Sequence, residues 1–250
     1  MTTPYTAITT DVQPMDEAVQ WEIMQAGWAP FMLEDATAAL YWDRMVNELP
    51  QFQFGLYEGP TLIGHGYSVP VAWDGGELAD RGWDWGLEHA LTGHDAGLMP
   101  NTLCAISITV ARSHAGRGVS RHLVTAMREL ARQHGLGALI APVRPSLKSA
   151  YPLTPLERYI QWKHTDGTAP FDPWLRVHWR LGARIVKVAT ESMRIPGTIA
   201  QWEAWANMRF PESGTYIVPG ALVPLAVDVE RDLAEYVEPN VWMLHEIALP

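Results

Sequence analysis

Apolar and polar residues alternate along the chain in two periods, one typical of helices and one typical of strands. Apolar side chains recur at helical spacing over residues 16–27 and 36–48. Two shorter stretches, 51–57 and 61–72, read as strands, and the Glu-Gly-Pro sequence between them predicts a turn. Residues 102–111 (TLCAISITVA) are apolar and rich in β-branched side chains, which indicates a buried strand. The first half of the chain is therefore predicted to mix helices with strands.

The second half continues this mixture. A helix is predicted from about residue 117, and Gly135 ends it. Asp172 and Pro173 suit the N-cap and the first position of a later helix. The remaining predicted elements are strands at 138–145, 184–195, 214–228 and 236–247, and helices at 172–181 and 198–208.

Two stretches have no clear period. Residues 73–100 contain several tryptophans among glycines, with a short helix predicted at 84–92, and form either a cover on the core or a pocket wall. Residues 146–170 are rich in proline, tyrosine and charged side chains. Because no repeat or long flexible linker interrupts the chain, residues 1–250 are interpreted as one domain. The two stretches, about 73–100 and 146–170, are insertions, and 197–250 is a C-terminal extension.

Composition narrows the class of protein. The 250 residues are 48% hydrophobic and include 12 Trp, which excludes disorder as the main state because these side chains need burial. No apolar run reaches the roughly 20 residues that span a bilayer. The N-terminus lacks the basic and apolar regions of a signal peptide. A single cysteine, Cys104, excludes an intrachain disulfide and a cysteine-rich zinc site. These features predict a cytoplasmic protein without a metal.

Charge is distributed unevenly. The net charge of −10 argues against general binding to nucleic acids, whose phosphates require a basic surface. Residues 1–100 hold 15 acidic and two basic side chains, whereas residues 101–200 hold 5 acidic and 14 basic ones. A basic middle section in an acidic protein indicates a local anion site. Salt-bridged surface helices are the alternative explanation.

The turn between strand 102–111 and the following helix is the most informative motif. Gly116 and Gly118 let the backbone approach a ligand closely and direct its N–H groups towards one point. The helix N-terminus attracts an anion, and Arg117 and Arg121 add full charges beside it. The motif is neither a P-loop nor a dinucleotide fingerprint. It predicts a phosphate-binding site.

This pattern resembles the GNAT family of N-acetyltransferases. Their signature is a strand with a valine, a short spacer, Arg/Gln-x-x-Gly-x-Gly/Ala and an amphipathic helix. Val110 followed by AGRGVS (115–120) matches it, except that Ala115 replaces Arg or Gln and Ser120 replaces the last Gly or Ala. VHWRLGARIV (177–186) matches the family's later helix, glycine and strand. The resemblance covers about 100–196, and the elements of 16–72 come in the family order.

The resemblance implies an α/β (α+β) fold with a central mixed, mostly antiparallel sheet, splayed between the fourth and fifth strands and flanked by helices. Acetyl-CoA would bind where strands 102–111 and 138–145 separate. Ile108, Thr109 and Val110 would pair with the pantetheine. The implied pyrophosphate-binding residues are Ala115, Gly116, Arg117, Gly118, Val119, Ser120 and Arg121.

The acid–base residues are less clear from the sequence. Many family members carry a glutamate base on the strand equivalent to 102–111, and this strand has none. The family's general acid is often a tyrosine at the end of the helix that precedes x-x-Gly, and counting back from Gly182 assigns this role to His178. Packing at the helix end is the alternative role for His178. Tyr151 and Tyr159 are further candidate acids, and Glu157 is a candidate base.

The acceptor is expected to be a small molecule. Arg144, Lys148, Arg158 and Tyr159 in or beside the 146–170 insertion, with Trp83 and Trp85 in the aromatic segment, are the candidate acceptor-binding residues. Their positive charge suggests a carboxylate or phosphate on the acceptor. These bases could instead serve the CoA 3′-phosphate or only neighbouring acidic groups.

The resemblance therefore implies an N-acyltransferase that moves an acetyl group to a small amine or hydrazine-like nitrogen by direct transfer in a ternary complex. No nucleic-acid or membrane partner is expected, and a homodimer remains open. A non-catalytic acyl-CoA-binding sensor or scaffold is one alternative. Acylation of protein lysines or N-termini is another.

Overall fold

A mixed sheet of nine strands runs through residues 4–249, the part of the chain that the computed structural model describes. The strand order is β1-β2-β3-β4-β5-β9-β8-β7, and β6 also pairs with β9. The strands are β1 (Tyr5–Thr9), β2 (Gln53–Glu58), β3 (Thr61–Val71), β4 (Thr102–Val110), β5 (Ala138–Val143), β6 (Arg184–Gly197), β7 (Gly214–Tyr216), β8 (Leu225–Asp228) and β9 (Leu233–Glu246).

Strands β4 and β5 form a parallel pair in an otherwise antiparallel sheet, and they stay paired for only three residues. Their register runs from Thr102 opposite Ala138 to Cys104 opposite Ile140. On its other edge, β4 pairs with β3 as far as Val110. The edge of β4 that faces β5 is therefore unpaired from residue 105 onward. This geometry confirms the predicted mixed sheet that splays between its fourth and fifth strands.

Seven α-helices flank the sheet within residues 4–249. They are α1 (Glu17–Gly27), α2 (Ala36–Glu48), α3 (Gly82–Asp95), α4 (Val119–Gln133), α5 (Leu156–Tyr159), α6 (Pro173–Arg180) and α7 (Ile199–Ala206). Carboxylates cap three of them: Asp16 accepts from the Val19 amide, Asp35 from the Ala38 amide and Asp172 from the Trp174 amide. Each cap satisfies an N–H that the first turn of the helix leaves free.

The sequence missed or shortened some elements. Helix α3 is longer than the predicted helix at 84–92, because glycines interrupt its pattern although Trp83, Leu87 and Leu91 bury one face. Strand β1 was not predicted, since its sequence YTAIT has no apolar alternation. The predicted strand at 214–228 is two short strands, β7 and β8, separated by a loop.

The interpretation of residues 1–250 as one domain stays a prediction, but the packing agrees with it. The main apolar core extends from Met15 to Leu244, so it includes elements near both described ends. A smaller cluster joins the insertion to α6 and β9 through Leu156, Tyr159 and Met243.

Two buried carboxyl groups, those of Asp35 and Asp84, interact where α2 and α3 pack together. Burial and the neighbouring Asp35 raise the pKa of Asp84 to about 8. An unfolded aspartate releases its proton near pH 4. The folded chain therefore holds more protons than the unfolded chain between about pH 4 and 8, and its stability falls as the pH rises through this range.

Asp84→Asn should remove this pH dependence, because an amide cannot ionise and still accepts from the Arg194 amide at 3.2 Å. We expect the melting temperature of the variant to exceed that of the parent at pH 8 and to approach it near pH 4. Thermal unfolding across this pH range measures the difference. Asp11→Asn, at an exposed site, is the control. Parallel curves for the parent and Asp84→Asn would show that Asp84 is ionised in the fold.

Candidate active site

A cavity of about 350 Å³ fills the gap between the separated ends of β4 and β5, and we call it the wedge. Residues 105–110 of β4 form one wall and residues 141–143 of β5 form another. Other elements close it with the side chains of Trp28, Met32, Trp83, Trp174, His178, Met193, Glu238 and Asn240. The wedge thus offers an unpaired strand edge along one side and a mostly apolar interior.

The glycine turn lies between β4 and α4, next to Ser120 in the lining of the wedge. Gly116 and Gly118 have φ angles of 76° and 78°, a left-handed conformation that glycine adopts without strain. A Cβ atom at either position would meet no protein atom within 4 Å. Within residues 4–249, the amides of Gly116, Gly118, Val119 and Ser120 donate to no protein acceptor. These free N–H groups at a helix N-terminus suit a phosphate.

Two arginines flank this turn on the surface. Arg117 and Arg121 are exposed, and neither forms an ion pair with any residue of the described chain. Their charges are therefore available to an anion from outside. Of the other residues predicted to bind acetyl-CoA, Ile108, Thr109, Val110 and Ser120 line the wedge itself. Ala115 lies in the turn, and Val119 begins α4 with its side chain in the core.

His178 projects from α6 into the wedge and is almost completely buried. Its Nδ1 atom lies 2.9 Å from Nε2 of His245 on β9. Its Nε2 atom has no partner in the described chain. Burial, and secondarily the neighbouring His245, lower the pKa of His178 to about 3. The ring is therefore neutral at physiological pH, and its Nε2 is a buried nitrogen with no hydrogen-bond partner in the described chain.

The position of His178 on α6 differs by one residue from the strict spacing of the family motif. The sequence from Trp179 to Gly182 is Trp-Arg-Leu-Gly, so the residue directly before x-x-Gly is Trp179. Trp179 is 42% exposed and does not line the wedge. His178, one position earlier, is the side chain of this helix end that faces the cavity.

The far end of the wedge is built on a buried carboxylate, Glu238. Nε of Arg144 donates to both of its oxygens, at 2.9 and 3.0 Å. The hydroxyl of Tyr236 and the amide of Asn240 donate to it as well. Asn240 in turn accepts from Ser192, which accepts from the backbone of Trp83. This network fixes the polar side chains that face the wedge.

The predicted anion-binding bases do not converge on a free site. Arg144 lines the wedge but is ion-paired to Glu238, and it also donates to the carbonyl of Gly220. The ammonium of Lys148 is buried and donates to the carbonyls of Tyr151 and Leu222. Arg158 is exposed on α5, outside the lining of the wedge.

Of the two tryptophans predicted to bind the acceptor, Trp83 and Trp85, only one lines the wedge. Trp83 lines the wedge and donates to the carbonyl of Ile106 at 2.7 Å. Trp85, on the next face of α3, stacks on His89 and is not part of the lining. Only the first of these two side chains is therefore placed to contact a ligand in the wedge.

The candidate acids and base of the insertion lie away from the wedge. Tyr151 packs at the surface against Tyr159 and Trp162. The hydroxyl of Tyr159 is buried and donates to Asp172, the N-cap of α6. Glu157 is exposed on α5. The insertion thus supports the helix that carries His178, and among the insertion residues 146–170 only Ser146 lines the wedge.

Several residues of the wedge were not predicted. Glu238, Asn240 and Met193 come from the C-terminal strands, and Trp28 and Met32 come from the segment after α1. Glu238 and His245 interrupt the apolar run of β9, and a polar side chain inside a buried strand was the available signal.

A second cavity of about 530 Å³ opens between α1 and α2, and we call it the α1–α2 cleft. Trp28, Met32 and Trp83 line both this cleft and the wedge. The cleft also contains Trp21, which is 52% exposed, and Trp42. Its polar lining includes the carboxylates of Glu17 and Asp43, neither of which has an ion-pair or hydrogen-bond partner among residues 4–249.

Comparison with known proteins agrees with this geometry. The model of the Acetyltransferase (GNAT) family matches residues 17–154, more than half of the chain. The chain belongs to the GNAT acetyltransferase family. This GNAT protein is accordingly an acyl-CoA-dependent N-acetyltransferase with acetyl-CoA as its cosubstrate.

A curated relative extends the similarity beyond the region that the family model matches. Over 252 aligned residues, this GNAT chain is 32% identical to the arginine N-acetyltransferase avaD of Aspergillus versicolor. The alignment covers 90% of the chain and 87% of the relative. This match therefore covers far more of the chain than residues 17–154.

Two solved structures share the fold. The loading GNATL domain of CurA from Lyngbya majuscula has a TM-score of 0.54 at 16% identity, covering 97% of this GNAT chain and 98% of the domain. The GphF GNAT-like decarboxylase, in complex with isobutyryl-CoA, has a TM-score of 0.55 at 17% identity and covers 98% and 99% of the two chains. Both support the GNAT fold over nearly the whole chain.

The described residues also bear on whether the chain holds a membrane-spanning helix or a metal-binding cluster. Across residues 4–249, every helix is too short or too polar to cross a bilayer. The same part of the chain contains no group of three or more His, Cys, Asp or Glu side chains placed to hold a metal ion.

Proposed function

We propose that this protein transfers the acetyl group of acetyl-CoA to a nitrogen of a small cationic molecule of the arginine class, by direct transfer in a ternary complex. The observation that carries the proposal is the α1–α2 cleft, an aromatic and acidic cavity that shares Trp28, Met32 and Trp83 with the wedge. An acceptor bound in the cleft could thus extend towards an acetyl group in the wedge.

The chemistry of the cleft favours a planar cation. Tryptophan faces attract guanidinium and ammonium groups, and the attraction strengthens when water is partly excluded. Glu17 and Asp43 add negative charge that no base of the described chain neutralises. The two bases of residues 1–100 are occupied elsewhere, since Arg44 pairs with Glu48 and Asp95, and Arg81 pairs with Glu88. The similarity to an arginine N-acetyltransferase supports the same class of acceptor.

This proposal replaces the anionic acceptor that the sequence suggested. Arg144 and Lys148 already have partners, so they do not form an open site for a carboxylate. The free bases of the region, Arg117 and Arg121, lie beside the glycine turn and suit the phosphates of acetyl-CoA.

The residues of the wedge then have distinct tasks. Acetyl-CoA brings the acetyl group as a thioester, and the glycine turn and the free edge of β4 would hold the carrier in place. Trp28, Trp83 and Trp174 exclude water from the reacting end. The free Nε2 of His178 would hydrogen-bond to the sulfur that leaves.

Direct transfer needs no acylated side chain. Cys104, the single thiol of the sequence, is completely buried, and burial raises the pKa of its thiol well above the usual range. A thiol that stays protonated and inaccessible cannot carry the acetyl group.

Steady-state kinetics with acetyl-CoA and three acceptors test this function. Arginine and agmatine both carry a guanidinium, whereas citrulline has a neutral urea of the same shape. We expect kcat/KM for the two guanidinium compounds to exceed that for citrulline by about 10²-fold, since charged hydrogen bonds stabilise by about 1.5–3 kcal/mol each. Equal or faster turnover of citrulline would contradict a cation-selective acceptor site.

The double variant Glu17→Gln with Asp43→Asn tests the cleft itself. Exposed ion pairs stabilise by about 0.2–1 kcal/mol each, so the variant should raise KM for arginine by up to about tenfold while KM for acetyl-CoA stays unchanged. Asp11→Asn, an exposed acid outside the cleft, is the matched control. An unchanged KM for arginine in the double variant would place the acceptor elsewhere.

A further inference from the structure

Behind His178 lies a second buried imidazole that the proposed reaction does not use directly. His245 is on β9, where its backbone is opposite Leu139 of β5. Its side chain is 1% exposed, so it does not reach solvent. It is absent from the lining of the wedge, whereas His178 is part of that lining. The 2.9 Å contact between the two rings therefore joins a residue that faces the ligand to one that does not.

We propose that His245 is a positioning residue: it holds the His178 ring with Nε2 facing the wedge and fixes the tautomer of that ring through the bond at Nδ1. One proton lies between Nδ1 of His178 and Nε2 of His245, because both rings are neutral and a bond needs one donor. Whichever ring carries it, the position of that proton decides what His178 presents to the wedge.

The two arrangements have different chemical consequences. If Nε2 of His245 donates, the Nδ1 of His178 accepts and its Nε2 carries a hydrogen, which can form a hydrogen bond to a leaving sulfur. If Nδ1 of His178 donates instead, Nε2 presents only a lone pair. Only the first arrangement suits the proposed role of His178.

Both rings are kept neutral by their surroundings. Burial is the main cause that lowers the pKa of His245, the positive charge of Arg128 lowers it further, and the backbone of Leu181 acts in the opposite direction. The pair therefore shares one proton, and the first arrangement is the one that a hydrogen bond from His178 to the sulfur requires. Both Nδ1 of His245 and Nε of Arg128 are buried without a hydrogen-bond partner in the described chain.

The His178 ring is also restrained from its other side. Trp174, one turn earlier on α6, packs edge-on against it with ring centroids 4.5 Å apart. The carboxylate of Asp172 caps the same helix and fixes where it begins. The ring is thus held by a helix, an aromatic side chain and a hydrogen bond, and Nε2 is its one nitrogen without a partner in the described chain.

Nitrogen NMR of the histidine side chains tests the tautomer without any acceptor, so its result does not depend on the proposed function. In the parent protein, with or without CoA, we expect His178 to carry its proton on Nε2. In His245→Phe, which removes the hydrogen-bonding nitrogens and keeps an aromatic ring at this position, we expect a mixture of tautomers or loss of the single form. An unchanged tautomer in this variant, or a proton on Nδ1 in the parent, would overturn the proposal.

Kinetics then separate positioning from packing. His245→Phe should lower kcat by about tenfold, the lower end of the effect of removing a group that orients a functional histidine, with little change in KM for acetyl-CoA. His245→Gln, whose amide can still donate to Nδ1 of His178, should recover much of the loss. If the two variants lose kcat equally, or neither loses it, His245 is a packing residue.

A double variant gives an independent check on the fold. In a His178→Tyr background the phenol carries its own hydrogen, so adding His245→Phe should change kcat by less than about twofold. An additive tenfold loss in this background would show that His245→Phe acts through the structure of the wedge.

Discussion

Replacing Gly118 with aspartate should abolish binding of acetyl-CoA. Gly118 is the N-cap of α4 with a φ angle of 78°, and the space where its side chain would lie is empty of protein atoms. A carboxylate there would occupy the position of a bound phosphate and repel it. The strained backbone would also displace the neighbouring free amides. Each charge-assisted hydrogen bond stabilises by about 1.5–3 kcal/mol, so losing two lowers the affinity by about 10²-fold or more.

Calorimetric titration with CoA measures this effect directly. The matched control is Gly97→Asp, because Gly97 also has a positive φ angle of 67° and a Cβ there would meet no protein atom within 4 Å, but it lies after α3, away from the wedge. It introduces the same charge and a similar backbone strain. If Gly118→Asp binds CoA as tightly as the control does, the phosphates lie somewhere other than the glycine turn.

The elements that the sequence predicted well are those whose pattern is decided locally. Helix α2 and strand β4 were found with nearly their observed bounds, because amphipathic spacing and a β-branched run are read from neighbouring residues. Helix α3 was shortened because its glycines lower the apparent helix propensity. The apolar face of α3 stabilises the full length of the helix only when it packs on β3, β4 and β6.

The residues of the candidate site likewise fall into those that local sequence predicts and those that it does not. The glycine turn is a contiguous motif, so residues 115–121 could be proposed as a phosphate site from the sequence, and the structure places them between β4 and α4 with Ser120 in the lining of the wedge. Glu238 and Asn240 could not be identified in this way. They line the wedge only because β9 pairs with both β5 and β6. Pairing between distant strands leaves no periodic trace in the sequence.

Charge counts in the sequence did not show which bases are already paired. The bases of the middle section suggested an anionic acceptor, but the ion pair of Arg144 with Glu238 spans 94 residues of chain. Counting charges in a segment cannot show that a partner from a remote strand neutralises them. The acidic first hundred residues carried the more useful information, because their two bases are paired and the α1–α2 cleft keeps carboxylates that no base of the described chain pairs.

The effect of pH on His178 follows from its environment. Burial lowers the pKa of His178 to about 3 and that of His245 to about 4. Unfolded histidines take up a proton near pH 6.5, whereas the folded pair stays neutral, so the stability that the pair contributes is lost as the pH falls from about 6.5 towards 3. Above that range neither ring titrates. We therefore expect no change in kcat near pH 6.5 that depends on His178.

Removal of the His178 side chain should lower kcat by about 10²-fold, the loss typical of a missing acid–base group. The imidazole is neutral, and in the arrangement proposed above its Nε2–H would donate to the sulfur as the thioester breaks. His178→Ala leaves the glycine turn intact, so KM for acetyl-CoA should change little. His65→Ala is the control for deleting a buried, neutral imidazole, since His65 on β3 lines neither the wedge nor the α1–α2 cleft. Its stability should fall, but its kcat should remain within a few-fold of the parent value.

Substitution of His178 by tyrosine distinguishes donation of a hydrogen bond to the leaving sulfur from acceptance of a proton. A phenol can hydrogen-bond to the leaving sulfur as a donor, but it is a weak proton acceptor at neutral pH because its pKa is about 10. We therefore expect His178→Tyr to recover at least about tenfold of the kcat that His178→Ala loses. A tyrosine variant as slow as the alanine variant, with both folded and binding CoA normally, would mean that His178 accepts a proton from the attacking nitrogen. If instead His178→Ala keeps the parent kcat, His178 only packs the end of α6, and the leaving sulfur takes its proton from water.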